Sequence, residues 1–324
     1  MQVPRVSVIV PTFNRARFLG DLLASLAEQT LSPAEYDVIV VDDGSTDDTA
    51  AVAGRRYRVP LCYYRKPNAG DAAARNYGAC LSRADLLLFL DDDMVVGPTF
   101  LEAILRAHAG GQERIVTGTA ALWLDEHAPP PPPASSADAT EPVPFVEVCS
   151  NNMSLRREAY FAIGMMNSLG FSGSSIWCDV EFSYRAYVLG YEFLRVVGAP
   201  CWHRDHVARS VESSAHRMRQ AAFRAATLFQ IHPGLPAHLP MFGDILPIDR
   251  EADPRMLVAR KLARRFASTD ATIWLLGHLL GLPFIPAPAA RVLARWLVGA
   301  HIFQGYREGL RSLTRALPAT PRAA

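Results

Sequence analysis

The stretch Leu86–Asp93, LLLFLDDD, sets five consecutive apolar residues directly against three carboxylates. An unbroken apolar run of that length marks a strand buried on both faces, as in a parallel sheet covered by helices. The carboxylates cannot follow it into an apolar layer, because an isolated buried charge costs many kcal/mol. They must face solvent, cap the helix expected over Pro98–His108, or bind a cation. Hard divalent ions such as Mg²⁺ and Mn²⁺ take one or two carboxylates of this kind and complete their shell with substrate phosphates. Taken alone, these residues leave the cap and the cation both open.

Upstream, Val6–Val10 (VSVIV), Asp37–Val41 (DVIVV) and Leu61–Arg65 read as three further strands. Between them Leu19, Leu22, Leu23 and Leu26 make a helical stripe, and Gly70–Leu81 is an alanine-rich helix. Pro11 is expected to end the first strand, and the polar turn Asp42–Asp48 (DDGSTDD) to supply an N-cap for the helix after it. Strands alternating with helices predict an α/β chain with a mostly parallel central sheet and helices on both faces. Functional groups in such sheets collect just beyond the carboxyl ends of the strands.

The chain has 324 residues, with 33 Lys+Arg against 32 Asp+Glu and a formal net charge of +1. That balance lacks the broad positive footprint of a duplex-binding protein, so no nucleic-acid partner is expected. A hydrophobic fraction of 50% with 20% charged residues excludes wholesale disorder. The cysteines at 62, 80, 149, 178 and 201 have no CxxC spacing and read as reduced thiols, which points to a cytoplasmic setting. The first residues, MQVPRVSVIV, read as a strand and not as a signal peptide. Ile273–Pro286, interrupted by His278 and prolines, is too short to span a bilayer.

The proline-rich stretch 128–144 reads as a surface loop inside the domain. The expected organisation is a first half over 1–115, a second half over 116–230 and a C-terminal helical extension over 231–324. In that extension Arg260, Lys261, Arg264 and Arg265 stand beside Leu257, Leu262 and Phe266, and later arginines accompany Trp296 and Phe303. Helices of this kind pack on a main domain with snorkelling side chains, lie peripherally on the inner face of an anionic membrane, or form a homodimer surface.

Several segments, in order, resemble family 2 glycosyltransferases of the GT-A fold: VSVIVPTFNR, VVDDGSTDDT, NAG…AAARNYGA, FLDDDMV, NNMSLRREAY, CDVEFSYRAYVLGYEF and the His203/His206 segment. The resemblance covers about the first two-thirds of the chain. It implies a GT-A, Rossmann-like sheet and a nucleoside diphosphate sugar, most simply a UDP-sugar, lying across the ends of the first strands. Pro11, Thr12 and Asn14 then form the loop that cradles the base, and Asp43 accepts from a uracil-type ring N–H, as an ionised carboxylate can. Asn68 and Gly70 line the same wall, and Arg75 stands near the base and diphosphate.

By the same resemblance Asp91 and Asp93 are the DXD pair, with Asp93 the first metal contact, Asp91 facing metal or ribose, and Asp92 assisting. His203, or else His206, adds a ligand to the divalent metal, Mg²⁺ or Mn²⁺. Asp179, in the Asp-x-Glu that opens a helix before Gly190-Tyr191, is the expected base of an inverting transfer; its alternative is an N-cap. Glu181 is expected to orient Asp179, touch the acceptor or decorate the helix N-terminus. Asn151 and Asn152 are expected to line the sugar pocket, and Gly170–Ser175 to form a loop near the acceptor. Cys178 departs from the acidic or small residue that commonly precedes the aspartate. The Gln-x-x-Arg-Trp sequence of processive members is missing, so single additions to a glycan, lipid, peptide or small natural product are implied. The competing classes are a nucleotidyltransferase, whose glycine-rich phosphate loop PTFNRARF lacks, and a non-catalytic nucleotide-sugar-binding module.

Overall fold

The structure is a computed structural model, and it describes residues 3–110, 113–123, 139–168, 176–204, 210–282 and 284–316. The chain divides into two compact units, 1–206 and 207–324. The 230/231 boundary expected from sequence therefore falls inside the second unit, at the end of a helix the sequence reading did not single out. Most of the proline-rich stretch, the Gly170–Ser175 loop and His206 lie outside the described residues.

In the first unit the strands are β1 (Val6–Thr12), β2 (Tyr36–Asp42), β3 (Leu61–Arg65), β4 (Leu86–Leu90), β5 (Met94–Val96), β6 (Arg114–Leu122), β7 (Thr140–Pro142), β8 (Asn152–Arg156) and β9 (Glu192–His203). The helices are α1 (Ala16–Ala27), α2 (Thr49–Ala53), α3 (Asp71–Leu81), α4 (Phe100–Ala107), α5 (Arg157–Ile163) and α6 (Cys178–Val188). The strands form one sheet in the order β3-β2-β1-β4-β8-β6-β9-β5, with β7 added beside β9. The parallel pairing expected from sequence holds across β3-β2-β1-β4 and returns between β6 and β9. Elsewhere the sheet is mixed, because β8 runs antiparallel to both of its neighbours and β9 does so to β5 and β7.

Alternation along β1 assigns its two faces. Val6, Val8 and Val10 are fully buried in the cluster that holds Leu19, Leu22, Leu23 and Leu26 of α1. Each such leucine contributes about 1.5–3 kcal/mol by leaving water. Ile9 points to the other face, against α3. There Gly78 allows the close approach, since a Cβ on it would stand 2.5 Å from Ile9 Cγ2. Pro11 does not end β1; it pairs in register with Val41. Its missing N–H costs nothing on the β4 side, where pairing stops at Ile9↔Phe89.

β1 continues through α1 to β2 on one side, whereas β4 lies on β1's other side. This reversal opens a crevice at the carboxyl ends of β1 and β4, the usual ligand position in open α/β sheets. LLLFL is wholly buried as β4, and it delivers Asp91–Asp93 to the mouth of that crevice.

The second unit holds α7 (Val211–Ile231), α8 (Arg255–Ala267), α9 (Asp270–Leu280) and α10 (Ala287–Ala316). α7 and α10 approach closely along small residues: a Cβ at Gly305 would meet Arg219 O at 2.1 Å, and one at Gly309 would meet Phe223 O at 2.2 Å. Part of the basic cluster is internal here. Lys261 Nζ donates to Pro247 O at 2.9 Å and to Asp253 Oδ2 at 2.5 Å, and Arg264 pairs with Asp244 and lies 4.8 Å over the Trp296 ring. Among the described residues no helix is long and apolar enough to cross a membrane.

Candidate active site

The loop leaving β1 and the turn leaving β2 are tied to one another. Asn14 takes a left-handed φ of 54°, which lets its Oδ1 accept from Thr46 N at 2.8 Å while its own N–H donates to Ser45 Oγ at 2.9 Å. Asp42 is a turn residue: Ser45 N donates to it at 2.7 Å and Tyr63 Oη at 2.5 Å. Asp47, not Asp48, serves the start of α2, accepting from Thr49 N at 3.1 Å. Asp43 is buried and binds the 66–70 loop. It accepts from Lys66 Nζ, from Ala69 N at 3.0 Å and from Gly70 N at 2.7 Å. An ionised carboxylate has about four lone-pair sites, so capacity for one more donor remains. Asn68 is exposed on that loop, and Gly70, at φ 91°, turns the chain into α3.

Arg75 is buried on α3 and donates to Asp71 at 2.7 Å and to Asp91. Burial alone would lower its pKa, but the Asp91 and Asp71 charges override this and raise it. The three aspartates after β4 do not cap α4. Their carboxylates accept from Arg75, Thr12 and Arg15 instead. Thr12 Oγ1 donates to Asp92 Oδ2 at 2.7 Å, and Arg15 Nη1 stands 3.2 Å from Asp92 Oδ1 and 2.5 Å from Asp93 Oδ2. Burial pushes the Asp92 carboxyl up to about 7, against the pull of Arg15 and Thr12. Burial also acts to raise Asp93, yet His203 and Arg15 outweigh it and hold that carboxyl below its usual range.

Asp93 Oδ1 is buried without a hydrogen-bond donor, and His203 Nε2 lies 3.2 Å from it. The register that sets Met94 opposite His203 on β5 and β9 brings them together. A carboxylate oxygen and an imidazole nitrogen so placed fit a divalent cation. Among the described residues no group of three His, Cys, Asp or Glu side chains converges, so the remaining positions would fall to phosphate oxygens and water.

Asp179 sits in the first turn of α6 and accepts from Val180 N at 2.8 Å. Burial raises its pKa and the Asp91 charge adds to the rise, while Val180 N–H and Arg75 act against it. Cys149 stands beside it: its residue is exposed to solvent, yet the protein crowded around the thiol desolvates it, and this, then the charges of Asp179 and Asp91, push it up to about 12. Asp179, Asp91 and Cys149 therefore share one electrostatic neighbourhood. Next to it lies a cleft of about 470 Å³ whose walls include Thr117, Cys149, Asn151, Asn152, Glu147 and Arg195. Asn152 is fully engaged, accepting from Thr117 Oγ1 and donating towards Cys201 Sγ at 3.1 Å. Arg195 is gripped by Glu141 at 3.2 Å and Glu147 at 2.8 Å.

Glu181 stands buried in the first turn of α6, which agrees with one of its three expected roles, the acidic helix N-terminus. Its two oxygens are taken by Arg185, from Nε at 2.8 Å and from Nη2 at 2.9 Å, and Arg185 also donates to the carbonyls of Ile163, the last residue of α5, and of Met165 just beyond it. The sequence reading missed Arg15, Lys66, Cys149 and Arg195. Lys66 and Arg15 each lie a few residues from an expected site residue, so proximity was a usable signal. Cys149, two residues before Asn151, gave the same signal, and Arg195 gave none.

Residues 7–158 match the family described as Glycosyl transferase family 2. The chain is 42% identical over 111 residues to validoxylamine A glucosyltransferase of Streptomyces hygroscopicus subsp. limoneus, covering 33% of this chain and 24% of that protein. It is 26% identical over 248 residues to the hyaluronan synthase of Pasteurella multocida, covering 64% and 25% respectively. The chain thus spans about a quarter of the length of these relatives. Among solved structures, a mannosyltransferase from Pyrobaculum calidifontis in complex with GDP-Man and Mn²⁺ superposes with a TM-score of 0.58 at 16% identity, covering 95% of this chain and 89% of that one. S. aureus TarS 1–349 in complex with UDP gives 0.53 at 17%, covering 99% and 93%.

The sheet order, the acidic crevice at β1 and β4 and these superpositions define a GT-A-type α/β protein. Over residues 7–158 the chain carries a domain that matches glycosyl transferase family 2.

Proposed function

We propose that this protein transfers a sugar from a nucleoside diphosphate sugar, of the UDP type, to a hydroxyl acceptor with inversion, and that the transfer depends on a divalent metal. One observation carries the reading: the carboxyl of Asp179 is raised by burial and senses Asp91 at the β4 crevice, and Cys149, which senses both charges, lines an open cleft. A base poised above the ordinary carboxylate range is suited to taking a proton near neutral pH.

In this reading Asp43, held by Ala69 and Gly70 amides, uses its remaining capacity on the base. Asp93 and His203 would hold the metal, with Asp91 kept in place by Arg75. When bound, the cation stabilises charge growing on the leaving diphosphate. Asp179 accepts the proton of the acceptor hydroxyl as that oxygen attacks the anomeric carbon on the side away from the diphosphate. The cleft lined by Glu147, Arg195 and Asn151 offers both donors and acceptors, which suits a polyhydroxylated acceptor. The UDP and GDP-Man held by the structural neighbours, and the glucosyl transfer named for a relative, support this donor class.

The test is release of nucleoside diphosphate from a panel of donors with a hydroxyl acceptor, with Mn²⁺ or with EDTA. Chelation and Asp93→Ala are each expected to abolish release. Release that survives both removes the metal from the mechanism.

The second unit supports peripheral contact with an anionic membrane. Residues 207–324 carry 16 Lys+Arg against 7 Asp+Glu. Met256, Phe266, Trp274 and Phe284 are each at least 69% exposed among them.

A further inference from the structure

Arg15 has no part in the reaction proposed above, yet it reaches into the centre of the acidic crevice. Its Nη1 lies between Asp93 Oδ2, at 2.5 Å, and Asp92 Oδ1, at 3.2 Å, while the other oxygen of Asp92 is held by Thr12. The guanidinium lies 5.7 Å over the Phe18 ring, and the side chain is 47% exposed. Across Asp93, Oδ1 lacks a donor and faces His203. One carboxylate thus turns one oxygen to an internal cation and the other to the site suited to a divalent ion.

We propose that Arg15 is an exchangeable counter-ion: it neutralises Asp92 and Asp93 in the free protein and passes to the diphosphate when donor binds, so that metal and nucleotide bind cooperatively. The inference rests on the metal-dependent reading above. A divalent ion entering alone at Asp93 meets a fixed positive charge on the same carboxylate, and like charges that close oppose one another even at a partly wetted surface. A diphosphate offers the guanidinium a forked anionic partner whose geometry it matches better than a lone carboxylate oxygen. The side chain is long and half exposed, so it can exchange partners without moving the sheet. Once it leaves, Asp93 Oδ2 becomes available to the cation. Linkage then requires metal and nucleotide to tighten one another by the same factor.

The experiment is a Mn²⁺ titration of the full chain followed by electron paramagnetic resonance of free Mn²⁺. It is run without nucleotide and with UDP, referenced to the Mn²⁺–UDP complex free in solution, for wild type and Arg15→Gln. No turnover is needed. UDP is expected to tighten Mn²⁺ on the wild type by about 5–150-fold. In Arg15→Gln, Mn²⁺ alone should bind more tightly than to wild type, and the tightening by UDP should fall below about threefold. Arg15→Lys, which keeps the charge, should retain the coupling. Wild-type coupling in Arg15→Gln, unchanged Mn²⁺ affinity without UDP, or a lysine variant that loses coupling as completely as glutamine would each overturn the inference while leaving the metal reading intact. Failure of the wild type to bind Mn²⁺ even with UDP would overturn both.

Discussion

Replacing Glu181 by alanine separates its observed role from the one its sequence context suggests. The carboxylate is 4% exposed and makes a two-point pair with Arg185, which is 23% exposed and also holds the carbonyls of Ile163 and Met165. Removing one partner of a fully buried pair costs about 3–5 kcal/mol, because a buried charge is left uncompensated. Arg185 keeps some access to water, so a loss of about 2–4 kcal/mol is expected. In a unit of this size that corresponds to a fall in melting temperature of about 5–12 °C. Turnover of the folded variant should stay within about tenfold of wild type, since Asp179 keeps its bond from Val180 N. Thermal unfolding and diphosphate release are measured on the same preparation. An unchanged melting temperature with turnover reduced more than a hundredfold would refute the reasoning and return Glu181 to the chemistry.

Three further outcomes follow from other parts of the molecule. His108 is buried with Nε2 2.9 Å from Ser154 Oγ, and burial, aided by Arg156 and Arg114, lowers its pKa to about 3. The unfolded chain then binds one more proton than the native one between about pH 6.5 and 3, so stability falls by about 1.4 kcal/mol per pH unit as pH drops through that window. Urea unfolding across that range should show this slope, and His108→Gln should flatten it; an equal slope in the variant would count against the assignment. Gly309→Ala should destabilise the second unit by about 1–3 kcal/mol through overpacking against Phe223 O, despite alanine's better helix propensity, and a raised melting point would contradict the close α7–α10 approach. The chain should sediment with anionic vesicles at low salt and release as salt rises; no binding at low salt would end the membrane reading.

The first half of the sheet was legible because strands buried on both faces show as apolar runs. β3 and β4 were read with the observed limits, and β1 and β2 within two residues at either end. The second half was not. β8 and β9 carry polar residues such as Asn152 and Arg195 in their strands, so no periodicity announced their antiparallel pairing. α7 escaped notice because it buries mainly alanines, among them Ala215, Ala222 and Ala226, and these leave a faint apolar stripe. At the site, sequence adjacency placed the aspartates, but long-range partners decided what they do. Asp43 spends most of its capacity on the 66–70 loop, and Arg15 bridges two aspartates nearly eighty positions away. The i,i+4 spacing of Glu181 and Arg185 was readable as a helix pair, and the resemblance drew attention to chemistry instead.

The central claim is that Asp179 removes the acceptor proton, and Asp179→Asn tests it most directly. Asparagine keeps the shape and an oxygen for Val180 N–H while losing basicity. With a UDP-sugar, Mn²⁺ and acceptor, turnover is expected to fall by about 10²–10⁴-fold, with binding of the donor changed less than about threefold. Turnover within a few-fold of wild type would contradict the account.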